Sequence, residues 1–443
     1  MTLISDRPAK GRGLQRPPVA GMPQGIAPYT QEDFATSPFV VFYEVTRACD
    51  LLCKHCRACA QPLQHPRELR TEQSKLLLEQ LASFEKKPVL VLTGGDPMKR
   101  DDIFELISHG VGQGLQVAMT PSATPLMTPK NIQRLKDAGL SRLALSLDSC
   151  DATVHDEFRG VPGSFDRTLE ILRCAREIGL PLQVNTTITN RNYRQVDQMA
   201  DMLAGLGIVL WSVFFLIPVG RGLAEQRIQP HEYEEVFEAL FQQSRKQPFG
   251  IKTTEAHHYR RYVLMHHGDP QRQPGGQIPG RIQRAPIGVN DGKGVFFVSH
   301  TGSVFPSGFM PIRCGKFPEQ SVVDVYQNSE TLQSLRNGDL LKGKCGFCDF
   351  RSICGGSRAR AYALTRDPLA AEPDCAFMPR AYKEYLERGG ESTSPNPLLR
   401  KEGTMRNTSP NPLLRKEGAM RNTSPNPLPR KEGANTEEEM ASC

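Results

Sequence analysis

Three thiols fall within eight residues, Cys49, Cys53 and Cys56 in 49-CDLLCKHC-56, and four more gather in 345-CGFCDFRSIC-354 and 372-EPDCAF-377, at Cys345, Cys348, Cys354 and Cys375. Three thiolates are one ligand short of a closed tetrahedral site. A zinc ion could recruit a fourth ligand such as His55 or Cys59. The thiols could also be inert, although three in one polar loop is a poor way to bury sulfur. The third option is a [4Fe–4S] cluster with three irons held by protein and one left open. The second group has enough thiols for a fully ligated cluster, and its spacing fits a zinc knob equally well.

These residues need elements to place them. Apolar, β-rich runs occur at 39-FVVFYEV-45, 88-PVLVLT-93, 115-LQVAMT-120, 142-RLALSL-147, 182-LQVNTTI-188 and 210-LWSVFFLIP-218. Helical patterns such as 72-EQSKLLLEQLASF-84, 101-DDIFELISHGV-111, 165-FDRTLEILRCAREIG-179 and 195-QVDQMADMLAGLG-207 separate them. Six repeated βα units argue for a parallel α/β sheet, an open sheet or a barrel, with ligands at the C-terminal strand ends. The first cysteine group sits at such an end. So does 93-TGGDP-97 after the second strand, which alone is only a good turn. The stretch 146-SLDSCDATVHDEFRG-160 follows the fourth, Asn185 lies in the fifth and 217-IPVGRG-222 follows the sixth. Further on, 294-GVFFVSHTGSVFPS-307 reads as a hairpin turning at Thr301-Gly302.

Composition narrows the field. The 443 residues allow two or three domains, and an apolar content of 38% allows a buried core. No run of about 18 apolar residues suggests a membrane span, and the N-terminus lacks a signal-like apolar stretch, so a cytoplasmic protein is expected. The charge of +7 is spread out with no basic stripe, which weighs against nucleic acid. In a reducing compartment, clustered cysteines are ligands or catalytic thiols before they are disulfides. A 15-residue repeat (393-TSPNPLLRKEGTMRN-407, repeated at 408 and 423) has little to bury and reads as disordered. The expected divisions are a flexible lead-in at 1–37, a core at 38–285, a cysteine-bearing domain at 286–390 and the repeat tail at 391–443.

The CX3CX2C spacing after a first strand resembles the signature of the radical S-adenosylmethionine (SAM) superfamily. The resemblance implies a partial (β/α)6 TIM-like barrel. It also implies that the open iron chelates SAM, and that electron transfer cleaves SAM to methionine and a 5′-deoxyadenosyl radical that abstracts a substrate hydrogen. On this reading Gly94, Gly95, Asp96 and Pro97 stand where the superfamily's GGEP motif contacts the SAM amino group, Asp96 replacing the glutamate. Ser146, Asp148, Arg159 and Asn185 are the further candidate SAM contacts, His55 would pack near the adenine, and Cys59 is a bystander. The second cysteine group resembles the SPASM/twitch extension, which carries auxiliary clusters. Ser307 stands where a full SPASM domain has a cysteine, so one auxiliary cluster is expected, on Cys345, Cys348, Cys354 and Cys375, giving two [4Fe–4S] clusters in all. Cys314 is expected to be a free thiol, and Cys150, Cys174 and Cys443 incidental.

The tail pattern CX2CX5CGGxRARA…DPxC resembles radical SAM enzymes of tetrapyrrole modification, which make heme or heme d1. Under that resemblance Arg358 and Arg360 would suit propionate carboxylates, because guanidinium pairs carboxylate in bidentate fashion. The histidines at 257, 258, 266 and 267 read as surface residues. The implied partners are a tetrapyrrole and a low-potential electron donor such as a ferredoxin or flavodoxin. The rival readings are a peptide- or protein-modifying radical SAM/SPASM maturase and a non-catalytic iron–sulfur or zinc-binding protein.

Overall fold

The computed structural model describes residues 29–268 and 288–389. The repeats, the Pro/Gly-rich stretch at 269–280, the expected boundary at 285 and the first 28 residues lie outside them. Eleven strands form one sheet: β1 (Val40–Thr46), β2 (Val89–Gly94), β3 (Gln116–Met119), β4 (Arg142–Ser146), β5 (Leu182–Ile188), β6 (Leu210–Phe215), β7 (Gly250–Thr254), β8 (Asn290–Asp291), β9 (Gly294–Val298), β10 (Ser303–Phe305) and β11 (Gly315–Lys316). From β1 to β7 each strand pairs in parallel with the next. Helices at 71–82, 103–112, 129–137, 164–178, 196–206 and 230–246 fill the crossovers. The six expected βα units are therefore present, followed by a seventh strand.

Alternation decides what each strand shows to either side. Val41, Tyr43, Val45, Leu90, Leu92, Val117 and Met119 point to the helices and are at most 0% exposed, as are Leu143, Leu145, Val184, Trp211 and Val213. Helix residues Leu77, Leu78, Ile103, Leu135 and Leu172 close on them in one continuous core. Burying each such side chain stabilises by about 1.5–3 kcal/mol. The other strand face carries the polar residues Glu44, Thr93, Ser146, Asn185, Ser212 and Lys252 among apolar ones such as Phe42, Val91 and Phe214. The loop after β6 returns to the loop after β1, where Arg221 N donates to the Cys56 carbonyl at 3.1 Å. The sheet is thus curled, with this second face inward.

The C-terminal part adds to this sheet. β9 pairs in parallel with β1, and β10 and β11 follow antiparallel. The turn between β9 and β10 carries Gly302 at φ 89°. Residues 29–37, counted by the sequence in the lead-in, are packed: Phe34 is 1% exposed and Asp33 pairs with Lys86 at 2.7 Å. No helix among the described residues is long and apolar enough to cross a membrane.

Candidate active site

The loop after β1 carries Cys49, Cys53 and Cys56, the first two buried and the third half-buried. It has no regular structure of its own, so neighbouring loops hold it. After β2, Gly95 N and Asp96 N donate to the carbonyls of Thr46 and Ala48 at 2.8 and 2.7 Å. A Cβ on Gly95 would lie 2.4 Å from the Ala48 oxygen, so only glycine permits this approach. After β4, Lys54 N donates to the Phe158 carbonyl at 2.9 Å, and the left-handed Gly160 abuts the Leu52 carbonyl. After β6, Arg221 Nε donates to the Cys53 carbonyl at 2.9 Å.

The sulfurs face donors. Leu51 N and Ser122 Oγ lie 3.4 and 3.3 Å from Cys49 Sγ, and Arg159 Nη1 lies 3.7 Å from Cys53 Sγ. Burial pushes the Cys49 thiol up to about 11 and raises Cys53 against the pull of Arg159. Taking up iron therefore displaces protons. Three neighbouring thiols, with hydroxyl, amide and guanidinium donors at Cys49 and Cys53, fit a cluster with one open iron. Among the described residues, no three Cys, His, Asp or Glu side chains close on a single-ion point.

Asp96 is buried close to Cys49. Its carboxylate accepts from Thr124 Oγ1 at 2.8 Å and from Met98 N and Ser122 N, capping the short turn that starts at Pro97. Gly94 ends β2 opposite Thr46. Asp148, 1% exposed, pairs with Arg159 at 2.6 Å and accepts from Thr187 N at 2.8 Å. Burial opposes its charge, but Arg159 and the nearby His55 and His155 hold it below the usual range. Asp151 caps the helix at 152–159 that delivers Arg159. Ser146 and Asn185 face each other across β4 and β5 and are half-buried on the inner side. His55 stacks on Phe158 with ring centres 4.0 Å apart. Ser122, Thr124 and Asn192 escaped sequence reading; the only signal for the first two was their place after a strand.

Cys345, Cys348, Cys354 and Cys375 line one pocket with His258, Arg261 and Phe377. Glu372 N donates to Cys345 Sγ and Gly356 N to Cys354 Sγ, both at 3.3 Å. Four thiols with amide donors fit a fully ligated cluster. Cys314 lies apart, packed on the main core with Cys150 and Cys174. Two expectations need correcting. Arg358 and Arg360 are 1% and 0% exposed. Arg360 is held by Glu372 and Asp374 at 3.1 and 3.2 Å, and Arg358 Nη1 donates to the carbonyls of Pro368 and Ala370 while its Nε and Nη2 are buried without a partner, so neither arginine is an exposed helix cation. His258 is fully buried rather than on the surface, because the aromatic rings of Tyr233 and Phe237 enclose it.

Residues 43–203 match the family model described as the radical SAM superfamily. The chain is 36% identical over 346 residues to the AdoMet-dependent heme synthase of Methanosarcina barkeri, covering 77% of this chain and 97% of that protein. The chain belongs to the radical SAM superfamily. It is a radical SAM enzyme, and a [4Fe–4S] cluster with SAM is the superfamily's cofactor pair. The heme synthase of Nitratidesulfovibrio vulgaris is also 36% identical, over 363 residues, 81% of this chain and 97% of that one. The radical SAM fold recurs in Streptococcus suis SuiB bound to S-adenosylmethionine, at a TM-score of 0.60 and 16% identity, covering 77% of this chain and 78% of SuiB.

Proposed function

We propose that this radical SAM enzyme acts on a carboxylate-bearing iron tetrapyrrole, converting propionate side chains in the manner of a heme synthase. The observation that carries the reading is similarity over nearly the whole length of the M. barkeri heme synthase, at 36% identity. Cys49, Cys53 and Cys56 would hold three irons and leave the fourth to SAM. A cluster held there would supply the low-potential electron for reductive cleavage of SAM, the chemistry by which the superfamily activates a substrate C–H bond.

The chain's own residues do the rest. The loops after β2, β4 and β6 fix the thiols, and the buried Asp148–Arg159 pair holds a cation beside Cys53. Gly94, Gly95, Ser146 and Asn185 present backbone and small polar groups where SAM would lie. The inner face of the sheet would take the substrate, held where the radical forms and screened on its helix side by the core. Cys345, Cys348, Cys354 and Cys375 would hold a second [4Fe–4S] cluster, and a low-potential donor such as a ferredoxin or flavodoxin would supply electrons.

The test is anaerobic turnover with SAM, dithionite and iron-coproporphyrin III, followed by mass spectrometry. The expected product has lost carbon dioxide and two hydrogens for each propionate converted to vinyl. Cys53→Ala should abolish 5′-deoxyadenosine formation. A protein that cleaves SAM but neither binds nor alters the porphyrin would sink the substrate assignment and leave a peptide as the next substrate to try.

A further inference from the structure

Two cations face the inside of the curled sheet with no acid beside them. Strand register places Ser146, Asn185, Ser212 and Lys252 in one row across β4 to β7. Their sequence neighbours Leu145, Val184 and Trp211 are core residues and Ile251 packs against that core, so alternation turns the row inward. The contact between Ser212 Oγ and Thr254 Oγ1, 3.3 Å apart, confirms that β6 and β7 share this face. Lys252 is solvent-accessible there and has no hydrogen bond or ion pair among the described residues. Arg142 opens β4 on the same face. Its Nη1 donates to Gln183 Oε1 at 3.3 Å, Gln183 passes a bond to Asn185 at 2.7 Å, and its buried Nε has no partner.

The acids that share the interior are already engaged, Glu44 with Arg57 and His300, and Asp148 with Arg159. Although solvent reaches Lys252, the surrounding protein and Arg142 push its ammonium down to about 8. Two neighbouring cations without a counter-charge are unfavourable unless an anion joins them.

We propose that Lys252 and Arg142 form a carboxylate-binding wall inside the sheet that takes the propionate-type side chains of the substrate. The inference rests on the tetrapyrrole reading and deepens it. SAM also carries a carboxylate, but its ammonium and sulfonium make it a net cation, which a doubly cationic wall disfavours. A porphyrin with several propionates and no ammonium suits that wall. Arg142 can grip a carboxylate through two parallel N–H bonds, whereas Lys252 supplies a point charge.

The experiment uses full-length, anaerobically reconstituted wild type, Lys252→Met, Arg142→Gln and the conservative Lys252→Arg. Each is titrated with iron-coproporphyrin III and with its tetramethyl ester, and SAM affinity is measured alongside by calorimetry. Wild type should favour the free acid over the ester. Lys252→Met and Arg142→Gln should each weaken free-acid binding about tenfold, as loss of one charge-assisted bond would, with ester and SAM affinities within about twofold and Lys252→Arg close to wild type. Equal weakening for acid and ester, or no change in either, overturns the wall. Weakened SAM binding with porphyrin binding intact also overturns it, because the carboxylate would then be SAM's. Wild type that binds neither porphyrin defeats the tetrapyrrole reading itself and takes the inference with it.

Discussion

Asp148 lies 1% exposed under the Arg159 guanidinium, and Arg159 touches Cys53. Removing one member of a buried ion pair leaves the other charge without compensation, which costs more than the pair contributes. Asp148→Asn should therefore destabilise the apoprotein by about 3 kcal/mol in urea unfolding. The double variant Asp148→Asn/Arg159→Met should recover part of that loss. If the two single losses simply added, the pair would not be the coupled unit its geometry indicates. Asp96 teaches a different lesson at the same scale. It stands where a ligand contact is expected, and its carboxylate also ties the loops after β2 and β3 together.

At the scale of elements, the glycine after β2 is the tightest constraint on the thiol loop. Gly95→Ala places a methyl 2.4 Å from the Ala48 carbonyl, and the backbone there cannot yield cheaply. Stability should fall by about 1–3 kcal/mol, and the iron retained by the first site should fall with it while the far-ultraviolet circular dichroism stays unchanged. Full iron content in that variant would show that the two loops do not need close contact. Six strands were legible because each is an apolar run bounded by turn residues and followed by an amphipathic helix. β7 was not: 250-GIKTT-254 is a partly exposed edge strand whose Gly, Lys and Thr carry no apolar alternation. Lys252 was missed with it. Arg358 and Arg360 read as available cations because sequence shows their charge and hides their burial, with Glu372, Asp374 and the Glu255 carbonyl meeting Arg360 and the Pro368 and Ala370 carbonyls meeting Arg358 only in the fold. The cysteine spacings needed no such context, since the candidate ligands of the first site lie within one loop.

At the scale of the whole molecule, Glu44 on β1 joins the first strand to the hairpin after β9. It pairs with Arg57 at 3.2 Å and with His300 at 2.7 Å. Burial would raise its carboxyl, but Arg57, then His300 and Arg47, outweigh burial and hold it at about 2, down from 4.5. A depressed carboxyl stabilises the fold above its unfolded value and loses that contribution as pH falls through the folded value. Stability worth on the order of 3 kcal/mol should drain between about pH 4.5 and 2. Glu44→Gln should flatten that part of the curve in acid-denaturation measurements; an unaltered acid limb would remove Glu44 from the account.

The pairing of β1 with β9 also sets an order of events during synthesis. The strand that leads into the three thiols lies between β2 and β9, and β9 is encoded about 250 residues later. At roughly 5–20 residues per second, translation needs tens of seconds to supply that second neighbour. Until then β1 is an unprotected edge and the loop beyond it lacks its final frame. The closing of a long-range contact is slow to win back its entropy. Iron delivery is thereby tied to a nearly finished chain, so that a polypeptide abandoned midway is a poor recipient for a cluster.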